Sequence, residues 1–157
     1  MPVMSNDEKK FCYRYRYPHP AVTADCIIFG TDGDTVRILL IRRGAEPFQG
    51  KWAFPGGFMK IDETAEECAI RELEEETGLK EAEIEQLHTF TAVDRDPRER
   101  VITVAYMAIV DLAEVKGGDD AAEARWFLLN EIPELAFDHR EILEMALAKL
   151  KERIIHI

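Results

Sequence analysis

The chain lacks any apolar run near the roughly 20 residues that a membrane-spanning helix needs. Its first residues also lack the apolar core of a secretory signal. It has three cysteines in 157 residues and no C-x-x-C pair, so we interpret them as free thiols in a reducing compartment. We therefore expect a cytoplasmic location and no membrane partner.

Positive charge is also scarce. Lysine and arginine together number 20 against 31 aspartates and glutamates, which gives a formal net charge of −11. This balance argues against a broad electrostatic grip on nucleic acid. It still allows a phosphorylated small molecule to bind if divalent cations lie between its phosphates and clustered carboxylates.

Neither a repeat nor a low-complexity linker divides the sequence, so residues 1–157 predict a single domain. Large and basic residues alternate at 11–17, which predicts an extended N-terminal segment within residues 1–20. Runs rich in β-branched and alternating residues predict strands at 21–29, 36–41, 52–54, 84–93, 101–110 and 123–128, the first two forming a hairpin. Helical periodicity predicts helices at 64–77 and 140–153. The fold class is therefore mixed α/β.

The central helix carries an unusual density of acids. Its apolar stripe comprises Ala65, Cys68, Ala69 and Leu73. Residues three and four apart on a helix are neighbours, so Glu72, Glu75 and Glu76 converge on one patch. Their mutual repulsion destabilises a bare helix, whereas Mg²⁺ prefers carboxylate oxygens and turns repulsion into binding. A solvated acidic face is the plainer alternative.

Two neighbouring features favour the metal site. Arg71 lies beside the acids, where a guanidinium fork can orient a carboxylate. Gly56 and Gly57 precede the helix, and glycine lets the backbone approach a ligand or expose a carbonyl.

The segment 57–79, GFMKIDETAEECAIRELEEETGL, resembles the Nudix box, G-x5-E-x7-R-E-U-x-E-E-x-G-U, where U is aliphatic. All nine specified positions are filled without a gap, by Gly57, Glu63, Arg71, Glu72, Leu73, Glu75, Glu76, Gly78 and Leu79. The resemblance implies the Nudix (MutT-like) fold, in which a mixed β-sheet is sandwiched between helices, and a hydrolase that cleaves phosphoanhydrides with Mg²⁺ or Mn²⁺.

The same resemblance implies residue roles. Glu72, Glu75 and Glu76 would hold the metal, helped by the carbonyl of Gly56. Glu63 would act through the water shell of the metal, and Arg71 would orient Glu72.

The general base stays open between two alternatives. Some family members use a glutamate of the box, and others use an acid on a later loop. Here Asp119 and Asp120 precede a predicted strand and are the later-loop candidates. An exposed acidic turn explains them equally well.

Outside the box the chain resembles the ADP-ribose pyrophosphatase branch, in the segments at 17–23, 42–48, 52–57, 95–98 and 135–140. That branch predicts hydrolysis of ADP-ribose to AMP and ribose 5-phosphate. The candidate substrate contacts are Arg42, Arg43, Phe48, Arg98 and Arg100, because guanidinium forks match phosphate geometry and an aromatic ring can stack on adenine. The tyrosine stripe at 13, 15 and 17 fits either an adenine platform or the edge of a homodimer. We interpret His139 as a capping or loop histidine in preference to a base.

Two other functions compete with this prediction. A MutT-like nucleoside triphosphate pyrophosphohydrolase would share the box and differ in substrate. A non-catalytic domain that senses a nucleotide would not need every carboxylate of the box. The branch also includes DNA-binding regulators with a C-terminal winged helix, but the sequence ends at Ile157 and is acidic, so we expect no nucleic-acid partner.

Overall fold

A strand rich in β-branched residues forms the centre of the sheet. In a computed structural model, which describes residues 13–118 and 121–155, β1 spans Ala21–Thr31. One edge of β1 pairs in parallel with β6 (Val101–Asp111) along its whole length. Near the end of β1, its other edge pairs with β2 (Val36–Arg43) in antiparallel orientation. The predicted hairpin is therefore confirmed.

The remaining strands complete a mixed seven-stranded sheet. They are β3 (Trp52–Ala53), β4 (Gly56–Phe58), β5 (Glu85–Phe90) and β7 (Ala121–Leu128). The main order is β3-β2-β1-β6-β5, while β4 pairs with the first half of β1 and β7 pairs with β2. Six of these strands were predicted. The fifth strand of the chain is shorter than expected, and the last one begins two residues earlier.

Both predicted helices are confirmed. Helix α1 spans Ala65–Thr77, and a capping box joins the Thr64 hydroxyl and the Glu67 carboxylate to each other's backbone N–H groups. The helix ends at Gly78, whose φ of 78° is the left-handed conformation that glycine adopts at low cost. Helix α2 spans His139–Ile155. Neither is long and apolar enough to cross a membrane, and these are the only helices in the described part of the chain.

The two helices cover opposite faces of the sheet. Ile27 and Phe29 of β1 lie in one core with Ile142 and Leu143 of α2. The alternate residues Cys26 and Ile28 lie in a second core with apolar residues of α1. Side chains alternate between the faces of a strand, so a strand buried on both faces reads as one continuous apolar run. The predicted arrangement of a mixed sheet between helices is confirmed.

Two features differ from the prediction. Residues 13–20 form no strand, and Tyr13, Tyr15 and Tyr17 are exposed; residues 11 and 12 lie outside the described part. Strand β4 was not foreseen, because two glycines and three residues give no periodic signal. A Cβ at Gly56 would lie 2.4 Å from the Ala24 carbonyl oxygen, so only glycine allows β4 to pair this closely with β1.

Candidate active site

A cleft of about 400 Å³ opens where β1, the glycine strand β4 and helix α1 meet. Its acidic floor is formed by Asp25, Glu72 and Glu76. The lining also includes Arg43, Arg95, Arg98 and Phe137, which we call the basic wall. Carboxylates and guanidiniums therefore line the same cleft.

Arg71 joins three carboxylates of the acidic side. Its guanidinium donates to Glu63 at 2.6 and 3.0 Å, to Glu72 at 2.7 Å and to Glu75 at 3.1 Å. It also donates to the backbone oxygen of Phe58 at 3.2 Å, which ties β4 to α1. The contact predicted between Arg71 and Glu72 is thus present. Because this guanidinium hydrogen-bonds its carboxylate, the pKa of Glu63 falls to about 2.

Glu76 is the most buried acid of the helix, with 6% of its surface exposed. Its Oε2 atom is buried without a hydrogen-bond partner. Burial raises its pKa to about 10, and the nearby carboxylates of Glu72 and Asp25 add to the effect. An isolated buried carboxylate is costly, so a position of this kind indicates a group that is completed by a ligand.

A divalent cation fits that position. Oxygen donors are what Mg²⁺ prefers, and the carboxylates of Glu72 and Asp25 lie near the carboxyl group of Glu76, one oxygen of which has no partner. Among residues 13–118 and 121–155, however, no three carboxylate, imidazole or thiol groups converge as a finished metal cluster. Arg71 instead engages Glu72 and Glu75. The donor chemistry fits the metal, and the assignment of these ligands stays a prediction.

Two glycines shape the floor. A Cβ at Gly57 would lie 2.6–2.8 Å from the carboxyl group of Glu72, and one at Gly56 would lie 2.3 Å from Oδ1 of Asp25. Real side-chain atoms do not approach so closely, so Gly56 is required against the backbone of β1, and a side chain at Gly57 would displace the carboxyl group of Glu72. The glycines therefore allow the backbone of β4 to lie directly against the acids.

A buried polar chain beneath the floor was not predicted as part of the site. Thr103 donates to Oδ2 of Asp25 at 2.6 Å, and Nε2 of His139 lies 3.8 Å from the same oxygen. The other ring nitrogen of His139 accepts the backbone N–H of Phe54 at 3.1 Å. Burial lowers the pKa of His139 and so favours the neutral ring.

These residues gave no usable sequence signal. Asp25 stands inside an apolar strand, and only its pairing with β4 brings it to the acids. We interpreted His139 as a capping or loop residue, and it does begin α2. Its ring, however, is buried and lines the cleft. A lone acid in an otherwise apolar strand is the one hint that was available.

The basic wall is fixed by two carboxylate–guanidinium forks. Asp138 accepts two hydrogen bonds from buried Arg95, at 2.8 and 2.9 Å. Asp96 accepts from the Arg98 side chain at 2.7 and 3.0 Å and from its backbone N–H at 2.9 Å. Burial alone would raise the pKa of Asp96, but the bonds from Arg98 outweigh it and lower the pKa. The loop that carries Arg98 is therefore rigidly held.

The predicted substrate contacts divide into two groups. Arg43 and Arg98 line the cleft. Arg42 instead donates to the backbone oxygen of Gly50 and pairs with Glu123. Arg100 donates to the backbone oxygens of residues 91 and 92. Phe48 packs against the ring of Phe137. These last three are not brought to the cleft. Asp119 and Asp120 lie outside the described residues, next to Gly118, where an added Cβ would lie 2.5 Å from the Glu75 backbone oxygen.

Comparison with known proteins decides the family. The model of the NUDIX domain matches residues 19–146, which is most of the chain. The chain belongs to the NUDIX domain family. The box of this Nudix chain is thus the segment from Gly57 to Leu79 that folds into β4, its turn and α1.

Individual similar proteins also support membership of this family. An ADP-ribose pyrophosphatase of Methanocaldococcus jannaschii is 46% identical over 138 residues, which cover 87% of this chain and 79% of the relative. An ADPR-responsive transcriptional repressor, NtrR, of Acinetobacter baylyi is 34% identical over 96% of this chain and 64% of its own length. The NUDIX domain of Shewanella oneidensis NrtR, solved with ADP-ribose, superposes with a TM-score of 0.82 at 30% identity, covering 94% of this chain and 99% of that one.

Proposed function

We propose that this Nudix chain hydrolyses the phosphoanhydride bond in a nucleoside diphosphate linked to another moiety. The preferred substrate is ADP-ribose, which is cleaved to AMP and ribose 5-phosphate. The observation that carries the proposal is the buried, unpartnered oxygen of Glu76, in a cleft that Glu72, Arg43 and Arg98 also line. The 46% identity to an ADP-ribose pyrophosphatase supports the choice of substrate.

Mg²⁺ or Mn²⁺ would be held by Glu72, Glu75 and Glu76, with the carbonyl of Gly56. When bound, it would neutralise phosphate charge and lower the pKa of a coordinated water. Arg71 would release its hold on Glu75 while keeping Glu72 oriented, since its other bonds run to Glu63 and the backbone.

The basic wall would bind the substrate's phosphates. Arg43 and Arg98 line the same cleft as Glu72 and Glu76, so their guanidiniums would bind the negative oxygens of the substrate. The buried carboxylate of Asp96 fixes Arg98 by a fork, which reduces the entropy lost on binding. Positioning of this kind converts binding into a lower barrier for attack.

For the general base we propose one of the two alternatives left open by the sequence, a glutamate of the box or an acid of the later loop, Asp119 or Asp120. Comparing Glu63→Gln, Asp119→Asn and Asp120→Asn would separate them. The variant that lacks the base should lose kcat about 100-fold or more and lose the limb of its pH profile that reports a base. The other variants should keep that limb.

The direct test is a substrate screen with Mg²⁺ over ADP-ribose, NADH, diadenosine polyphosphates and nucleoside triphosphates. We expect the highest kcat/KM for ADP-ribose, with AMP and ribose 5-phosphate released in equal amounts. Excess EDTA should abolish turnover. A higher kcat/KM for a nucleoside triphosphate would overturn the substrate and favour the MutT-like alternative.

A sensing domain is the second candidate, because both an ADPR-responsive repressor and an ADP-ribose-bound NUDIX domain are among the similar proteins. The complete box favours catalysis. Tight binding of ADP-ribose without turnover, at saturating Mg²⁺ and Mn²⁺, would establish the sensor instead.

We also propose a cytoplasmic enzyme that acts on a small molecule and not on nucleic acid. The thiols of Cys26 and Cys68 are free, and the net charge is −11. The exposed tyrosines at 13, 15 and 17 would suit a homodimer edge. Light scattering of the chain and of its Tyr13→Ser/Tyr15→Ser/Tyr17→Ser variant tests this, and an unchanged mass would exclude that edge.

A further inference from the structure

Phe137, which lines the cleft, and its neighbour Phe48 have a backbone conformation that large side chains rarely adopt. Phe137 has a φ of 51° and Phe48 a φ of 62°. A bulky residue with positive φ is held there at a cost of roughly 1–3 kcal/mol, which persists only where surrounding contacts enforce it. Such positions concentrate at functional sites.

The two rings contact each other, and Phe137 also contacts two arginines of the basic wall. Phe48 and Phe137 are in edge-to-face contact, with centroids 4.8 Å apart. The guanidinium of Arg43 lies 4.9 Å from the centroid of Phe137. That of Arg98 lies between two rings, 5.5 Å from the centroid of Phe137 and 4.9 Å from that of Phe58. These distances allow cation–π attraction. Phe137 is therefore shared by the two arginines that line the cleft.

The backbone around Phe137 is tied down on both sides. The N–H of Ala136 donates to the Trp52 oxygen at 2.8 Å. On the other side, Asp138 is held by the fork of Arg95. These bonds keep the ring in place despite its strained φ, so a shift of the ring would disturb both arginines together.

We propose that Phe137 is a positioning residue for substrate binding, because its ring, backed by Phe48, holds Arg43 and Arg98 at a fixed spacing toward the substrate's phosphates. The inference rests on the proposed function for the identity of the ligand. It goes further in assigning the spacing of the two guanidiniums to a residue outside the Nudix box.

The test compares three variants with the parent chain. Phe137→Leu keeps an apolar side chain and removes the π face, while Phe137→Tyr keeps the face. Phe127→Leu is the matched control, because Phe127 also lies under an arginine, Arg125 at 5.6 Å, but outside the cleft. We expect Phe137→Leu to raise the KM for ADP-ribose about tenfold with kcat changed by less than about threefold. Phe137→Tyr and Phe127→Leu should stay within about twofold of the parent KM.

A double variant tests whether Phe137 acts through an arginine. If it does, Phe137→Leu should raise KM less in an Arg98→Gln background than in the parent chain. Equal factors in both backgrounds would overturn the positioning role. An unchanged KM in Phe137→Leu would also overturn it. So would a failure of both Phe137→Leu and Phe137→Tyr to fold, because the ring would then be needed for the fold itself.

Binding of α,β-methylene ADP-ribose, which cannot be hydrolysed at the bridging position, separates this inference from the proposed function. If the parent chain binds the analogue but does not turn over ADP-ribose, the proposed hydrolase fails. In that case a roughly tenfold weaker Kd in Phe137→Leu still supports the positioning role, and an equal Kd overturns it. Failure of the parent chain to bind the analogue at all would overturn both.

Discussion

Removing the charge of Glu76 is expected to stabilise the metal-free protein while abolishing activity. The pKa of this buried carboxyl rises from 4.5 to about 10, so the folded state prefers the protonated form. Below about pH 4.5 both folded and unfolded chains carry the proton, and the group has no effect on stability. Between there and about pH 10, stability falls as the pH rises, by up to about 1.4 kcal/mol per pH unit.

At pH 7 the loss amounts to roughly 3 kcal/mol for a group with this shift. Glu76→Gln keeps the volume and carries no charge, so the metal-free variant should unfold at higher urea concentration than the parent. Glu74→Gln is the matched control, because Glu74 is on the same helix, is half exposed and pairs with Lys80 at its surface.

The assay is urea unfolding at about pH 5 and pH 8, in EDTA and in Mg²⁺. In EDTA, raising the pH from 5 to 8 should lower the stability of the parent relative to that of Glu76→Gln. The buried His139, whose lowered pKa acts in the opposite sense, contributes equally to both chains. Mg²⁺ should stabilise the parent at pH 8 by binding the folded state, and should stabilise Glu76→Gln far less. If Glu76→Gln is no more stable than the parent at pH 8 in EDTA, or keeps the full Mg²⁺ effect, the reasoning about this site is refuted.

Three further changes test the surroundings of the site. Gly57→Ala places a Cβ 2.6–2.8 Å from the Glu72 carboxyl group, so we expect kcat/KM to fall at least about tenfold with little change in urea midpoint, because the flexible end of Glu72 can move aside. Arg95→Gln leaves the carboxylate of Asp138 without its fork and should cost about 3 kcal/mol of unfolding free energy, measured by urea titration. Thr64→Ala removes the capping box of α1 and should cost about 1 kcal/mol in the same titration.

Each of these changes has its own check. Arg125→Gln breaks an exposed pair with Glu123 and should cost less than about 1 kcal/mol, so an equal loss in both arginine variants would contradict the role of burial. Thr64→Ser keeps the capping hydroxyl and should restore most of the lost stability. A fully active Gly57→Ala would show that the close approach to Glu72 is not needed.

The limits of α1, its caps and its acidic residues were predictable because they are local properties of the chain. The capping box at Thr64 and the left-handed Gly78 depend only on residues within four positions of each other. Six of the strands were predictable for the same reason, since a β-branched or alternating run is visible within a few residues, whereas β4 gives no such local signal. The family assignment made from the box is confirmed by a model match over residues 19–146.

The sequence by itself therefore determined the strands of the sheet other than β4, the two helices and the carboxylate-bearing face of α1. Only the tertiary structure decided what else reaches the cleft. Asp25 joins the acids because β4 pairs with β1, and His139 lies beneath them because α2 begins beside Phe54. Arg42 and Arg43 were equivalent as a sequence pair, but adjacent strand residues point to opposite faces, and Arg43 alone lines the cleft. Contacts between residues far apart in sequence, which no local pattern records, made these choices.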